Sequence, residues 1–141
     1  MARIVFAVVL ALLAVPAAHA DLRIRSSPGG WVSDYLQVFA RVRQSGERVI
    51  IDGPCLSACT LVLSTVPPNR ICVTKRAVLG FHAPRLIDRR SGKTARAPEA
   101  ERIVIDSYPA GVRAWIKKRG GLTQKLILLR GRELTAMYRR C

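Results

Sequence analysis

Ser57, His82 and the pair Gly29-Gly30 are the residues whose types and neighbours point to chemistry. Ser57 follows the short apolar run Val49-Ile50-Ile51 and the turn Asp52-Gly53-Pro54, and stands near the start of an expected helix over 56–64. At such a strand-to-helix turn its hydroxyl and the N–H of Ala58 face the same space. His82 ends an expected strand over 77–81, and Gly29-Gly30 opens a helix, where backbone N–H groups are free to meet an anion. In parallel α/β units these strand ends gather at the carboxyl edge of the sheet. A serine beside a histidine that takes its proton, facing backbone donors, is the minimal apparatus of acyl transfer. Each part alone has a plainer reading: Ser57 as a helix cap, His82 as a structural histidine, the glycines as a turn.

The elements that must position these residues follow from local pattern. A short strand is expected over 22–25, ended by the turn Ser26-Ser27-Pro28-Gly29-Gly30. Trp31, Tyr35, Val38, Phe39 and Val42 recur at helical spacing, and Gly46 stands where a C-cap glycine belongs. The β-branched run 49–51 suits a buried parallel strand. Pro67-Pro68-Asn69 breaks the helix over 56–64, and strands are expected over 71–74 and 77–81, closed by His82-Ala83-Pro84. Strand, helix, strand, helix, strand in this order is a βαβ pattern and predicts an α/β domain. The polar, basic stretch 85–98 reads as a mobile loop beside His82. Beyond it, helices are expected over 99–107, 109–119, 123–130 and 133–138, with Trp115 in the core.

The blocks Ser26-Ser27-Pro28-Gly29-Gly30, Gly53-Pro54-Cys55-Leu56-Ser57-Ala58 and Gly80-Phe81-His82-Ala83-Pro84 resemble, in order and spacing, the SPGG, GxxxSxA and IHxP blocks of the Clp protease proteolytic subunit family. The resemblance covers about residues 22–84. It implies a Clp/crotonase-like superhelix of βα units, with Ser57 as nucleophile, His82 as general base and an oxyanion hole from the N–H groups of Gly30 and Ala58. Two departures stand out. The family's triad aspartate falls at or near Gly131, leaving Glu133, Asp106 and Asp88 as the weak candidates for a third member. The N-terminus also lacks further strands of the family, so either the fold is trimmed there or a partner subunit covers the exposed edge.

The opening residues have the parts of a secretory signal: Arg3, an apolar run from Ile4, and Ala18-His19-Ala20 as a small-x-small cleavage site. The expected organisation is therefore a cleaved signal over 1–20 and a single domain over 21–141, exported to the periplasm or beyond. The apolar run is shorter than the ~20 residues that span a bilayer. A formal charge of +15 favours an anionic surface as a contact, and neither export nor the scattered arginines suit a specific nucleic-acid site.

The four cysteines, Cys55, Cys59, Cys72 and Cys141, are expected to form disulfides in an oxidising compartment. Four cysteines allow three connectivities, and sequence alone leaves them open. Cys55 and Cys59 bracket Ser57, and a staple from that loop to a neighbouring element, with Cys72 on the adjacent strand as one partner, is the simplest role. No metal site or cofactor is expected, because the spacing is not a CxxC pair and one of the two histidines lies in the signal.

The reading that joins these features is an exported serine hydrolase, peptidase-like, acting on a peptide or protein without an ATP-driven partner. A catalytically inactive Clp-like domain that binds peptide or a cell-envelope partner is the alternative, and a homo-oligomer is among the expected partners. Crotonase-type chemistry on coenzyme A thioesters is disfavoured by the Ser57/His82 pair and by export.

Overall fold

The computed structural model describes residues 20–141. The expected signal, save Ala20, lies outside the described residues. Leu22–Ile24 forms β1, and the chain turns through 26–30 into α1, Val32–Ser45. This helix buries Phe39 and Val42 and stops at Gly46, whose φ of 81° is the left-handed C-cap conformation that favours glycine.

Val49–Ile51 forms β2, buried at every position, and Pro54–Leu56 forms β3. A 3-10 turn over Ser57–Leu61 runs into α2, Val62–Thr65. Ile71–Val73 is β4 and Val78–Phe81 is β5. Strand β2 pairs in parallel with β1 on one side and β4 on the other, as the β-branched runs require. In a second small sheet β3 and β5 pair in parallel.

Four expectations are corrected. The stretch 85–98 is no mobile loop: Arg85–Ile87 (β6) and Thr94–Arg96 (β7) pair antiparallel as a hairpin, closed where Asp88 N–H donates to the Lys93 carbonyl at 2.9 Å and Gly92 N–H to Asp88 O at 2.8 Å. Pro98–Ser107 (α3) and Ala110–Lys118 (α4) are helices near the expected bounds. The next segment, read as a helix over 123–130, instead supplies β8, Ile127–Arg130, antiparallel to β5. A short apolar run fits either state by periodicity, and pairing with the open edge of β5 decides it. The third correction concerns Pro54–Leu56, read as turn and helix start, which is the strand that delivers Ser57. The last helix, α5, is Gly131–Thr135 rather than 133–138.

One cluster of buried side chains joins α1, both sheets and α4. At its centre Phe81 stands edge-on to Tyr108, ring centres 5.4 Å apart, and 5.9 Å from Trp115. The chain is thus mixed α/β with small sheets, and the expectation that Trp115 is core holds. Among the described residues no helix is long and apolar enough to cross a membrane.

Candidate active site

Strands β3 and β5 run side by side, with Leu56 in register with Gly80, so the residues that follow each strand emerge at the same edge. Ser57 follows β3 and His82 follows β5. Their side chains meet: Ser57 Oγ lies 2.7 Å from His82 Nε2. The other ring nitrogen, Nδ1, lies 2.7 Å from the carbonyl oxygen of Ala83. A carbonyl only accepts, so Nδ1 carries the proton and Nε2 presents its lone pair to the serine hydroxyl. This is the tautomer a general base needs.

Ser57 is the one non-glycine residue with positive φ among the described residues, at 55°. A left-handed serine at a strand-to-helix turn is a strained position, and such strain recurs where a side chain must project into a site. Two contacts hold it. The Thr60 hydroxyl donates to Ser57 O at 2.7 Å, and Thr60 Oγ1 lies 2.6 Å from the Tyr108 hydroxyl. Since Thr60 spends its proton on Ser57, Tyr108 is the donor in the second bond. Burial pushes the Tyr108 hydroxyl up to about 12, so it keeps its proton across the working range.

The second holding contact is covalent. Cys55 pairs with Cys59, closing a small ring around the serine, and Cys72 pairs with Cys141. The considered staple from the serine loop to Cys72 is therefore corrected. The loop is tied to itself, while Cys72 on β4 anchors the C-terminus, where Val73 and Arg140 also bridge.

Gly29 packs against this turn so closely that an added Cβ would stand 2.5 Å from Ser57 Cβ and 2.7 Å from Leu56 O. A Cβ there would force the turn to shift, and the φ of 87° disfavours other residues independently. The tight approach brings the Gly29-Gly30 segment to the N-terminus of the 3-10 turn. Gly30 N–H donates to no backbone acceptor in the turns and loops. Ala58, second residue of the turn, has no carbonyl one turn behind it. Gly30 and Ala58, the residues expected to supply the oxyanion hole, border the same cleft as Ser57 and His82.

The cleft measures about 590 Å³. Trp31 and Val32 of the α1 entry, Leu61, Ile87 of the hairpin and Val104 of α3 give it apolar walls. Arg85 is the charged residue that borders it. At the hairpin tip the Arg89 guanidinium stacks 5.0 Å above the Trp31 ring, tying hairpin to helix entry.

None of the three carboxylates considered as a third triad member reaches His82. Asp88 caps its own hairpin turn, accepting from Ser91 Oγ at 2.7 Å and Arg90 N–H at 2.9 Å, and the Ser91 hydroxyl holds its pKa below the ordinary value. Glu133 pairs with Arg119 at 2.7 Å, which lowers its pKa likewise. Asp106 is exposed on α3. The place of an orienting carboxylate is taken by the main chain of Ala83, whose own N–H donates to Thr123 O at 2.7 Å. Side-chain reasoning had no access to that carbonyl. The sole signal for it is Pro84, which biases the preceding residue to extended backbone. Thr60 and Tyr108 were also missed, being separated by most of the α/β unit. No protein-family model matches this chain, and neither does any curated protein sequence.

Proposed function

We propose that this chain is an exported serine hydrolase of the Clp-like type, cleaving peptides with a Ser57-His82 dyad whose imidazole is oriented by the Ala83 carbonyl. The observation that carries the reading is the 2.7 Å contact from Ser57 Oγ to His82 Nε2, on a serine held at φ 55°. Catalytic geometry of this kind requires nucleophile and base within hydrogen-bond reach and a third group to fix the ring. The parallel β1, β2, β4 and β3, β5 pairings support a small crotonase-like superhelix, with the site at the strand ends. Two disulfides and no free cysteine among the described residues support an oxidising, extracytoplasmic setting.

In this reading Ser57 Oγ attacks the scissile carbonyl while His82 Nε2 takes its proton. The Gly30 and Ala58 N–H groups receive the negative charge that develops on the carbonyl oxygen. His82 then returns the proton to the leaving amine, and water attacks the acyl-Ser57 ester by the reverse sequence. Ala83 O keeps the ring oriented throughout but, being neutral, stabilises the imidazolium less than a carboxylate does. In a full triad, loss of the aspartate lowers kcat by about 10⁴-fold.

That neutral orienter favours one second reading, an inactive domain of the same fold that holds a peptide or envelope partner in the cleft. A fluorophosphonate probe separates the two. Stoichiometric labelling of the oxidised protein, lost in Ser57→Ala and His82→Ala, is the expected result. Absence of labelling in a folded protein would count against the hydrolase and favour the binding module.

A further inference from the structure

Residues directly opposite one another in an antiparallel pair share a face of the sheet. In the β6–β7 hairpin Ile87 stands opposite Thr94, and Arg85 stands opposite Arg96. Ile87, Thr94 and Arg85 all border the cleft, so this is the face that looks onto Ser57 and His82. Side chains alternate along a strand, and Leu86, between Arg85 and Ile87, takes the opposite face at 62% exposure.

Two guanidinium groups directly across a strand pair repel one another. No ion pair offsets that repulsion: among the described residues the ion pairs involve Arg23, Arg48, Arg76 and Arg119, and neither Arg85 nor Arg96. Glu101 and Asp106 of α3 border a shallow hollow with Arg96 without pairing with it. The hairpin's own carboxylate, Asp88, is consumed in its turn. The hairpin therefore presents two cations engaged in no ion pair, Arg85 at the rim of the cleft and Arg96 across the strand pair from it.

We propose that this wall selects acidic peptides: a Glu or Asp side chain of the bound segment settles between Arg85 and Arg96, while its apolar neighbours lie on Ile87, Val32 and Trp31. A carboxylate there removes the like-charge repulsion and gains charge-assisted hydrogen bonds, whereas an amide of the same shape gains neither in full. The fate of the peptide rests on the hydrolase reading above; its binding does not.

The test separates the two. Binding to the oxidised Ser57→Ala protein is measured by fluorescence anisotropy at physiological ionic strength, using a labelled hexapeptide of alternating leucine and glutamate and its leucine–glutamine counterpart. The glutamate peptide is expected to bind about tenfold more tightly, on the scale of paired charge-assisted contacts. Arg85→Ala/Arg96→Ala should abolish most of that preference. Arg139→Ala/Arg140→Ala removes the same charge from the C-terminus and should retain it. Equal affinity for the two peptides, or equal loss in both double variants, would overturn the proposal, the latter by reducing it to the field of a basic protein. Cleavage of the glutamate peptide by the unaltered protein reports separately on the hydrolase.

Discussion

His82 Nδ1 lies 2.7 Å from the carbonyl oxygen of Ala83, so the ring that faces Ser57 is fixed by the main chain of the next residue. With that nitrogen occupied, no side-chain carboxylate has a part in orienting it. Asp88→Asn, Asp106→Asn and Glu133→Gln are each expected to leave the rate of fluorophosphonate labelling within about twofold, since exposed charges act weakly at a distance. A loss of tenfold or more in any one of them would restore a carboxylate to the site.

Gly29 and Gly46 both have positive φ, yet they differ in what surrounds them. An added Cβ at Gly29 meets Ser57 Cβ at 2.5 Å, whereas at Gly46 the nearest atom is Arg70 Nη1 at 3.8 Å. Gly46→Ala should cost stability of about 1 kcal/mol through backbone strain alone, with labelling retained. Gly29→Ala should cost about 1–3 kcal/mol and also displace the serine, lowering labelling at least about tenfold. Thermal unfolding and labelling kinetics on the two variants distinguish strain from displacement.

The disulfides divide stability from geometry. Cys72–Cys141 closes a loop of sequence separation 69, and Cys55–Cys59 one of separation 4. By chain entropy, replacing the first pair with alanine should cost about 4 kcal/mol and the second about 2 kcal/mol. The order reverses for labelling: the Cys55→Ala/Cys59→Ala variant frees the left-handed serine and should lose most of its reactivity at temperatures where it remains folded. Calorimetry beside labelling checks both orders, and full labelling of that variant would remove the ring from the mechanism.

Asp52, 4% exposed between the sheets, accepts from Arg76 at 2.6 Å, from the Thr74 hydroxyl at 2.7 Å and from Arg23 at 3.0 Å. The Arg76 guanidinium, then Thr74, hold its carboxyl well below the usual range. A depressed folded-state pKa means stability fully present above the ordinary aspartate value, near 4, and lost as pH falls toward the lower folded value. Asp52→Asn should therefore be less stable at neutral pH and show a flatter stability profile below pH 4 than the unaltered protein. Urea melts across that range measure the slope, and parallel profiles would exclude Asp52 as its source.

Most of residues 22–84 was legible because its signals are local, the strand Pro54–Leu56 being the exception. The short apolar runs at 49–51 and 71–73, rich in β-branched residues, make buried parallel strands, Gly46 ends its helix by its own φ, and Ser57 and His82 each follow a strand by sequence alone. The order of those elements already places both side chains at one sheet edge. What the chain folds on to was not legible. The run Ile127–Arg130 is a strand because β5 leaves an edge open to it, and 85–98 is a hairpin because cross-strand pairing orders residues that show no apolar alternation. Cys55 joins Cys59 because a 3-10 turn brings them together, with Cα atoms 5.3 Å apart. Most of all, the orienter of His82 is a backbone carbonyl, a group every residue carries, so no side-chain pattern could name it. Sequence determined which groups stand at the site; tertiary structure decided what holds them, because pairing partners and main-chain hydrogen bonds depend on distances set by the whole fold.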